Sequence, residues 1–574
     1  MAEALASHRG VLGAALAGAA AAATPIYDRD WGWHLATFRR MRDELALPRD
    51  DVFAYASQGA YEPVHWLFQL LLGGLVELCG LAGLAVYRLG FSALFAAALF
   101  VVLRRAGARG WGAALALGWV LVGAWERLLV RPHLVSFVGV VVTLGVLLAW
   151  RRRRRAAWPL VPLFLVWANA HPGVLFGVLL ALGFVLAESA QAWWRGAPLG
   201  EHVRLAGWVA LAVLATGLNP LGYELYPYLV AHRDMQHTID VAELRGLFER
   251  PERGVRWHLL VCWLYCAGVA IYALRVRGLL SWAWLAACAL AVCAAVVSAP
   301  ATAPFLLPLA GLLGVGLALS VRRGRRGQVD LTLVGATVAF GVLGVIVSRE
   351  APLALALLAV LVAPRLPRAR DSRLAGVAAA SALSLIALAA GVRTLDGGWG
   401  LRVGAGLYPR AAADWVLERR PAGPLYNTNG IGGYLAYRLW PRYQVFSDGR
   451  MPMFLEALGL PFDQVEARYA PQLVLIDWGL DWRRAHYFEL EPEFHARYAL
   501  VFVGAGGKVY VRRDGPNAAL ARRWGYRHLG FRHRYYPGLG YRPLPAVAPE
   551  HAQAYARELE RARREAPDCP YLPQ

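Results

Sequence analysis

Two carboxylates, Asp28 and Asp30, follow directly on the first apolar run of the chain, and His34 stands one helical turn after Asp30. Two carboxylates thus flank the exit of the first helix, where a membrane segment meets water. The segment Asp28-Arg29-Asp30-Trp31-Gly32-Trp33-His34 is also rich in indole, which suits the headgroup layer of a bilayer. A plainer reading is an interfacial belt with an aspartate capping a helix. The second Asp and the His are surplus to it.

Other uncommon polar residues recur at the ends of apolar runs. Glu62-Pro63-Val64-His65-Trp66 opens the next run, and His65 is its unusual member. Glu126, Arg127, Arg131 and His133 sit on a tight turn between two runs, where cations suit Glu126 or an anion such as a lipid phosphate. Asn169-Ala170-His171-Pro172-Gly173 and Asn219-Pro220-Leu221-Gly222-Tyr223 are good Pro/Gly turns, although Asn169 and His171 also suit the lining of a cavity. The loop after Asn219 carries Tyr226, His232, His237 and Glu243. Further on, Asn427-Thr428-Asn429-Gly430-Ile431-Gly432-Gly433-Tyr434 and Phe446-Ser447-Asp448-Gly449-Arg450 read as Gly-rich turns. No Lys-Ser/Thr follows, so neither is a phosphate-binding P-loop.

The elements that must position these residues are membrane helices. Of 574 residues, 58% are hydrophobic and only 17% charged, too apolar for a soluble enzyme of this length. The apolar residues fall in runs of about 20, enough to cross a bilayer core. The formal net charge of +21 does not indicate nucleic acid, because it sits largely in short arginine clusters at helix ends, which orient a membrane protein. Arg151 to Arg155 and Arg322, Arg323, Arg325 and Arg326 are the clearest. Five of the six cysteines lie in apolar runs, so no disulfide framework is expected.

With those clusters cytoplasmic, the first helix falls near 10–26 with a cytoplasmic N-terminus, and 27–62 forms a first outer loop. The span 63–103 then needs one true helix plus an interfacial or re-entrant piece. Runs near 111–130, 134–150, 157–170, 173–194, 205–219, 257–275, 279–298, 304–320, 329–348, 351–364 and 373–391 follow, with an outer loop over 219–256. The expected architecture is an α-helical polytopic membrane protein of about 13 transmembrane helices over 1–391. The threading gathers the unusual polar residues at one extracytoplasmic rim. From 392 to 515 the chain reads as a soluble α/β domain outside the membrane, with a helix over 411–419 and strands over 474–477, 498–503 and 508–513. Residues 516–574 form a basic Tyr/Pro-rich extension with one polar helix near 549–565.

At these residues the chain resembles the GT-C superfamily of polytopic glycosyltransferases, through Asp28-Arg29-Asp30 after the first helix, the long first outer loop and the helix count. It also resembles a group of bacterial membrane proteins with Asp-x-Asp-Trp-x-Trp-His (28 to 34), His-Trp-Leu-Phe (65 to 68), Arg-Pro-His (131 to 133), Asn-x-His (169 to 171), Asn-Pro-x-Gly (219 to 222), Gly-Gly-Tyr-Leu (432 to 435) and Asp-Gly-Arg (448 to 450). Where that group usually has Trp-Trp-His, this chain has Trp31-Gly32-Trp33-His34.

The resemblance implies an inner-membrane enzyme that moves a sugar from a polyprenyl-phosphate donor to an extracytoplasmic acceptor, with no role for nucleic acid. It implies Asp28 or Asp30 as catalytic base, the other orienting the acceptor or binding a divalent cation (Mg or Mn) if one is used. His34, His65, Arg131, His133, Asn169, His171, Asn219 and Glu243 are then the candidates for binding the substrate and its lipid phosphate. The competing classes are a transporter or flippase, which predicts internal pseudo-symmetry and midplane polar residues, and a non-catalytic scaffold for envelope assembly.

Overall fold

The computed structural model describes residues 2–57, 61–108, 112–236, 330–362, 364, 408–478, 488–489, 491–529, 547–570 and 572. Glu243, the rest of the outer loop past Gln236, and the runs near 257–275, 279–298, 304–320 and 373–391 lie outside the described residues. Along the chain come α1 (Ala2–Ala22), α2 (Trp31–Glu44), α3 (Trp66–Cys79), α4 (Ala82–Ala106), α5 (Gly112–Ala124), α6 (His133–Arg153), α7 (Leu160–Ala170), α8 (Val174–Trp194), α9 (Gly200–Thr216) and α10 (Leu225–Gln236). Then follow α11 (Leu331–Ile346), α12 (Ala351–Val362), α13 (Arg410–Arg419), β1 (Leu425–Asn427), α14 (Asn429–Leu439), β2 (Leu473–Ile476), β3 (Tyr498–Gly504), β4 (Gly507–Arg512), α15 (Ala518–Trp524) and α16 (Ala552–Glu565). They divide into two compact units, Met1–Thr24 with Ala85–Leu401, and Pro25–Leu84 with Arg402–Gln574.

The first unit is helical. Among the described residues, α4, α6 and α8 are long and apolar enough to cross a bilayer, and α7, α11 and α12 are shorter apolar helices; α3, also short and apolar, belongs to the second unit. α1 begins and ends earlier than the run near 10–26, because its alanines favour helix and Thr24-Pro25 disfavours continuation. The span 63–103 breaks at Gly80, whose φ of +61° is a conformation glycine adopts without strain. Fourteen residues in α3 extend about 21 Å, short of a crossing, whereas α4 has 25.

Every residue of α12 is buried, as a helix apolar all round requires; it packs against α11, α5 and α6. Arg151, expected as one member of a cytoplasmic helix-end cluster, is tied to two carboxylates. Its Nη1 lies 2.6 Å from Asp330 Oδ2 and its Nε donates to Glu188 Oε1 at 3.0 Å. Asp330 also caps α11 by accepting from the Leu333 N–H, so one guanidinium pins the ends of α6, α8 and α11.

The second unit holds a four-stranded sheet in the order β1-β2-β4-β3. β1 and β2 are parallel, while β4 runs antiparallel to both β2 and β3. The strands are buried along nearly their whole length, which accounts for their continuous apolar runs. The short β1 was not expected from sequence.

The first-loop segment belongs to this same unit, although its sequence position groups it with the membrane helices. Ala54 forms a parallel bridge with Val445, and Tyr55 donates its hydroxyl to Leu425 O at 3.0 Å. Residues 31–44, expected as loop, form α2, which is buried almost all round. Trp31 and Trp33 accordingly sit inside the protein rather than in a headgroup belt. Trp31 is fully buried, and its indole N–H reaches the Tyr408 hydroxyl at 2.9 Å.

The Asn427–Tyr434 segment, expected as a Gly-rich turn, contains the start of helix α14. Its glycines allow close packing: a Cβ on Gly432 would lie 1.8 Å from Ser447 O, and one on Gly32 of α2 would lie 2.5 Å from Gly433 O. Gly32→Val should therefore destabilise the protein by about 1–3 kcal/mol through overpacking, whereas Gly74→Ala, with open space around it, should be neutral or gain up to about 1 kcal/mol. Thermal unfolding of the detergent-purified variants checks this; equal midpoints for the two would disprove the tight α2–α14 crossing.

Candidate functional site

The candidate residues separate into two constellations. In the sheet-bearing unit, the Asp28 side chain accepts the Asp30 N–H at Oδ1, 3.2 Å away, in an Asx-type turn that starts α2. The Tyr408 hydroxyl donates to the Asp28 carbonyl, and Asp28 is only 5% exposed. Arg29, between the two acids, pairs with Asp477 at 2.5 Å just past the end of β2, and Thr428 donates to the other Asp477 oxygen at 3.0 Å. The acidic motif is thereby tethered to the end of β2 through Arg29 and to the segment before α13 through Tyr408.

Asp30 faces the second Gly-rich motif. A Cβ on Gly449 would lie 2.3 Å from Asp30 Oδ1 and 3.5 Å from Trp33 Nε1. Two motifs more than 400 residues apart in sequence thus meet, and glycine at 449 is the residue that lets them. Next to it, the buried Arg450 guanidinium is gripped by Asp448, with Nε 2.9 Å from Oδ1 and Nη2 2.5 Å from Oδ2. Its Nη1 lies 3.1 Å from Asp51, within ion-pair range though not aligned as a hydrogen bond. Rings of Trp33, Phe53, Tyr61 and Phe454 surround it at 5.7–5.9 Å. Burial works against its charge, but the Asp448 and Asp51 carboxylates outweigh it and raise the Arg450 pKa above the usual guanidinium value. The sequence reading took Asp448–Arg450 as turn chemistry, because the burial of this ion pair appears only in the fold.

His34 and His65 come together, ring centroids 5.7 Å apart. Gln69 Nε2 lies 3.3 Å from His34 Nδ1 and donates to the Tyr61 hydroxyl at 3.1 Å. Since an amide NH2 only donates, His34 accepts at Nδ1 and carries its proton on Nε2. Gln69, fully buried on α3, was not singled out by sequence.

The second constellation lies in the helical unit. His133 opens α6 and places Nε2 2.7 Å from the Arg127 carbonyl, so this nitrogen donates to the turn it follows. The Arg131 carbonyl accepts the Tyr87 hydroxyl at 3.0 Å. Asn169 joins the ends of α7 and α9 by donating to Leu165 O and Leu218 O at 2.8 and 2.9 Å. Asn219 spends its amide on Thr216 O and Gly222 O and its carbonyl on the Leu221 N–H; its polar atoms build its own turn, in keeping with the plain reading of that motif. His171 ends α7 against Ser136.

Arg88 was missed altogether, because a single arginine in the apolar α4 looks like a helix-end charge. It is 2% exposed and donates to the Leu128 carbonyl, to Thr24 O at 2.8 Å and to Thr24 Oγ1 at 2.6 Å. It thereby holds the exit of α1 against the turn that carries Arg127, Arg131 and His133. Among the described residues no group of three or more His, Cys, Asp or Glu side chains is arranged to hold a metal ion. Asp28 and Asp30 do not complete a coordination sphere by themselves.

No protein-family model and no curated protein matches the chain. Two solved structures of ArnT from Cupriavidus metallidurans are similar to it. One, bound to undecaprenyl phosphate, is 15% identical with a TM-score of 0.38 and covers 87% of this chain and 97% of its own. The other, in the apo state, is 15% identical with a TM-score of 0.39 and covers 89% and 98%. Likeness at that level assigns no residue and no reaction to this chain.

Arg88→Met should cost about 3 kcal/mol or more, because hydrogen bonds to a charged donor each contribute roughly 1.5–3 kcal/mol. It should also open the chain around residue 24 to limited proteolysis. Arg88→Lys should not restore the fold, since an ammonium lacks the guanidinium fork that spans both segments. Full protection in the lysine variant would show that charge alone suffices.

Proposed function

We propose that the protein is a membrane glycosyltransferase of the GT-C kind, moving a sugar from a polyprenyl-phosphate-linked donor to an acceptor hydroxyl or amine on the extracytoplasmic side of the inner membrane. The observation that carries this reading is the Arg88 clamp. It fixes a cation-rich turn beside the exit of α1, and the chain leaving that exit reaches Asp28 four residues after Thr24. Cations suited to a lipid phosphate are thus held at the end of α1, and carboxylates suited to an acceptor proton follow that end within a few residues of sequence.

In the proposed reaction the acceptor oxygen or nitrogen attacks the anomeric carbon as the bond from that carbon to the phosphate oxygen breaks. The electron pair leaves with the polyprenyl phosphate, already a stable anion, so no strong general acid is needed. The acceptor proton passes to Asp28 or Asp30, and the configuration at the anomeric carbon inverts. Positive charge from Arg131 and the neighbouring turn stabilises the departing phosphate. The Arg29–Asp477 pair and the Gly449 contact support the reading by holding the acidic motif in place, as a base within reach of its proton must be held.

The test uses the full-length protein in proteoliposomes with radiolabelled polyprenyl-phosphate sugars and membrane-derived acceptors. Asp28→Asn or Asp30→Asn should lower transfer by roughly 10²–10⁴-fold with normal membrane insertion. Arg131→Ala should weaken binding of undecaprenyl phosphate, used as the probe. Undiminished transfer in both asparagine variants would remove the catalytic assignment.

A further inference from the structure

α2 and α3 lie side by side and run in the same direction. Gln69 Nε2 sits 3.3 Å from His34 Nδ1. One turn on, a Cβ on Gly73 would lie 2.0 Å from the Phe38 ring. One turn further, Arg42 pairs with Glu77. These contacts recur every four residues on both helices and so fix a single register. The two helices therefore end together, α2 at Glu44 and α3 at Cys79.

Leucines occupy those ends. Leu45 is 90% exposed and Leu78 84%, and Leu47 and Leu81 are exposed as well. Leu45 also holds a φ of +51°, in the left-handed region where a leucine is strained and glycine is at ease. Helices commonly end on glycine for that reason; a strained, bare leucine stands here instead. Just behind the leucines is a charged collar, in which Arg42 pairs with both Asp43 and Glu77 at the surface.

What covers these leucines follows from the chain itself. Only Gly80 and Leu81 separate α3 from α4, and α4 is long and apolar enough to cross a bilayer. α4 turns apolar side chains outward at Val86 and Leu94, as a helix in lipid does. Leu78 and Leu81 precede that span by a few residues, so they stand where water gives way to hydrocarbon. The Arg42–Glu77 pair brings the end of α2, and Leu45 with it, to the same level. An exposed apolar cluster rimmed by charge marks a surface that meets a partner or a membrane, and continuity with α4 selects the membrane.

We infer that Leu45, Leu47, Leu78 and Leu81 form an apolar tip that inserts among the acyl chains of the leaflet α4 enters, with the Arg42, Asp43 and Glu77 collar at the headgroups. The inference does not depend on the reaction proposed above. Residues 27–62, expected as a loop outside the membrane, then make a membrane contact of their own. α2 carries Asp30 at its N-cap and is moored to lipid at its other end.

The test uses the full-length protein in lipid nanodiscs, with the six native cysteines replaced by alanine and one nitroxide-labelled cysteine introduced at a time. Labels at Leu45→Cys and Leu78→Cys should relax faster with oxygen, which concentrates in hydrocarbon, than with a water-soluble nickel chelate. A label at Glu418→Cys, exposed on α13, should do the reverse. Leu45→Asp and Leu78→Asp made together should shift a label at Leu81→Cys several-fold toward the nickel-accessible value. Ratios at 45 and 78 that match the one at 418 would overturn the inference, because the tip would then stand in water. Labels shielded from both reagents would overturn it as well, showing that protein covers the tip, either another segment of this chain or a second copy. Contact with lipid at 78 but not at 45 would confine it to α3 and overturn the shared tip.

Discussion

A guanidinium removed from water must be met by acceptors on every side, and Arg450 shows what that demands of a fold. Its charge is held by Asp448 from its own turn and by Asp51 from a segment almost 400 residues earlier. Removing one partner of such a buried group leaves an uncompensated charge, which costs more than the intact pair contributes. The early segment cannot leave without exposing that cost. The bridge of Ala54 with Val445, the burial of α2 and the tether of Arg29 to Asp477 are all consistent with that one constraint.

The helical unit answers the same demand differently. Arg88 takes its acceptors from backbone carbonyls and a threonine hydroxyl, and Arg151 takes carboxylates from two other helices. In each case one long side chain joins segments that apolar contacts alone would leave free to slide. Glycine supplies the complementary device. At Gly32, Gly139, Gly173, Gly177, Gly432 and Gly449 the missing Cβ lets a backbone, a ring or a polar side chain approach within a distance no side chain permits. Two of these positions seat a candidate residue: Gly449 lies against Asp30 and Gly173 against His171.

The membrane helices were legible because a run of apolar residues and the arginines that end it are local facts. The bounds of α6 and α8 and the strands β2, β3 and β4 follow from patterns a few residues wide, whereas the break of the 63–103 span at Gly80 was not placed from sequence. Asp28, Asp30, His34 and His65 stood out for the same reason, as polar types where the local pattern has no use for them. What stayed hidden was pairing at long range. Ser136 and Gln69 look like ordinary helix residues until His171 and His34 are seen beside them, and Gly432 and Gly433 look like a turn until α2 packs on them.

Residue type and spacing by themselves determined that this chain crosses a membrane, carries a mixed α/β region near its end and sets acidic and histidine residues at the mouths of its helices. Hydrophobic length and alternation are properties of contiguous sequence, so they need no partner to be read. The tertiary structure decided which of those polar residues are held, by what, and with their protons where. Hydrogen bonds and buried ion pairs act between groups that the chain brings together only by folding; Asp30 with Gly449 and His171 with Ser136 are such meetings.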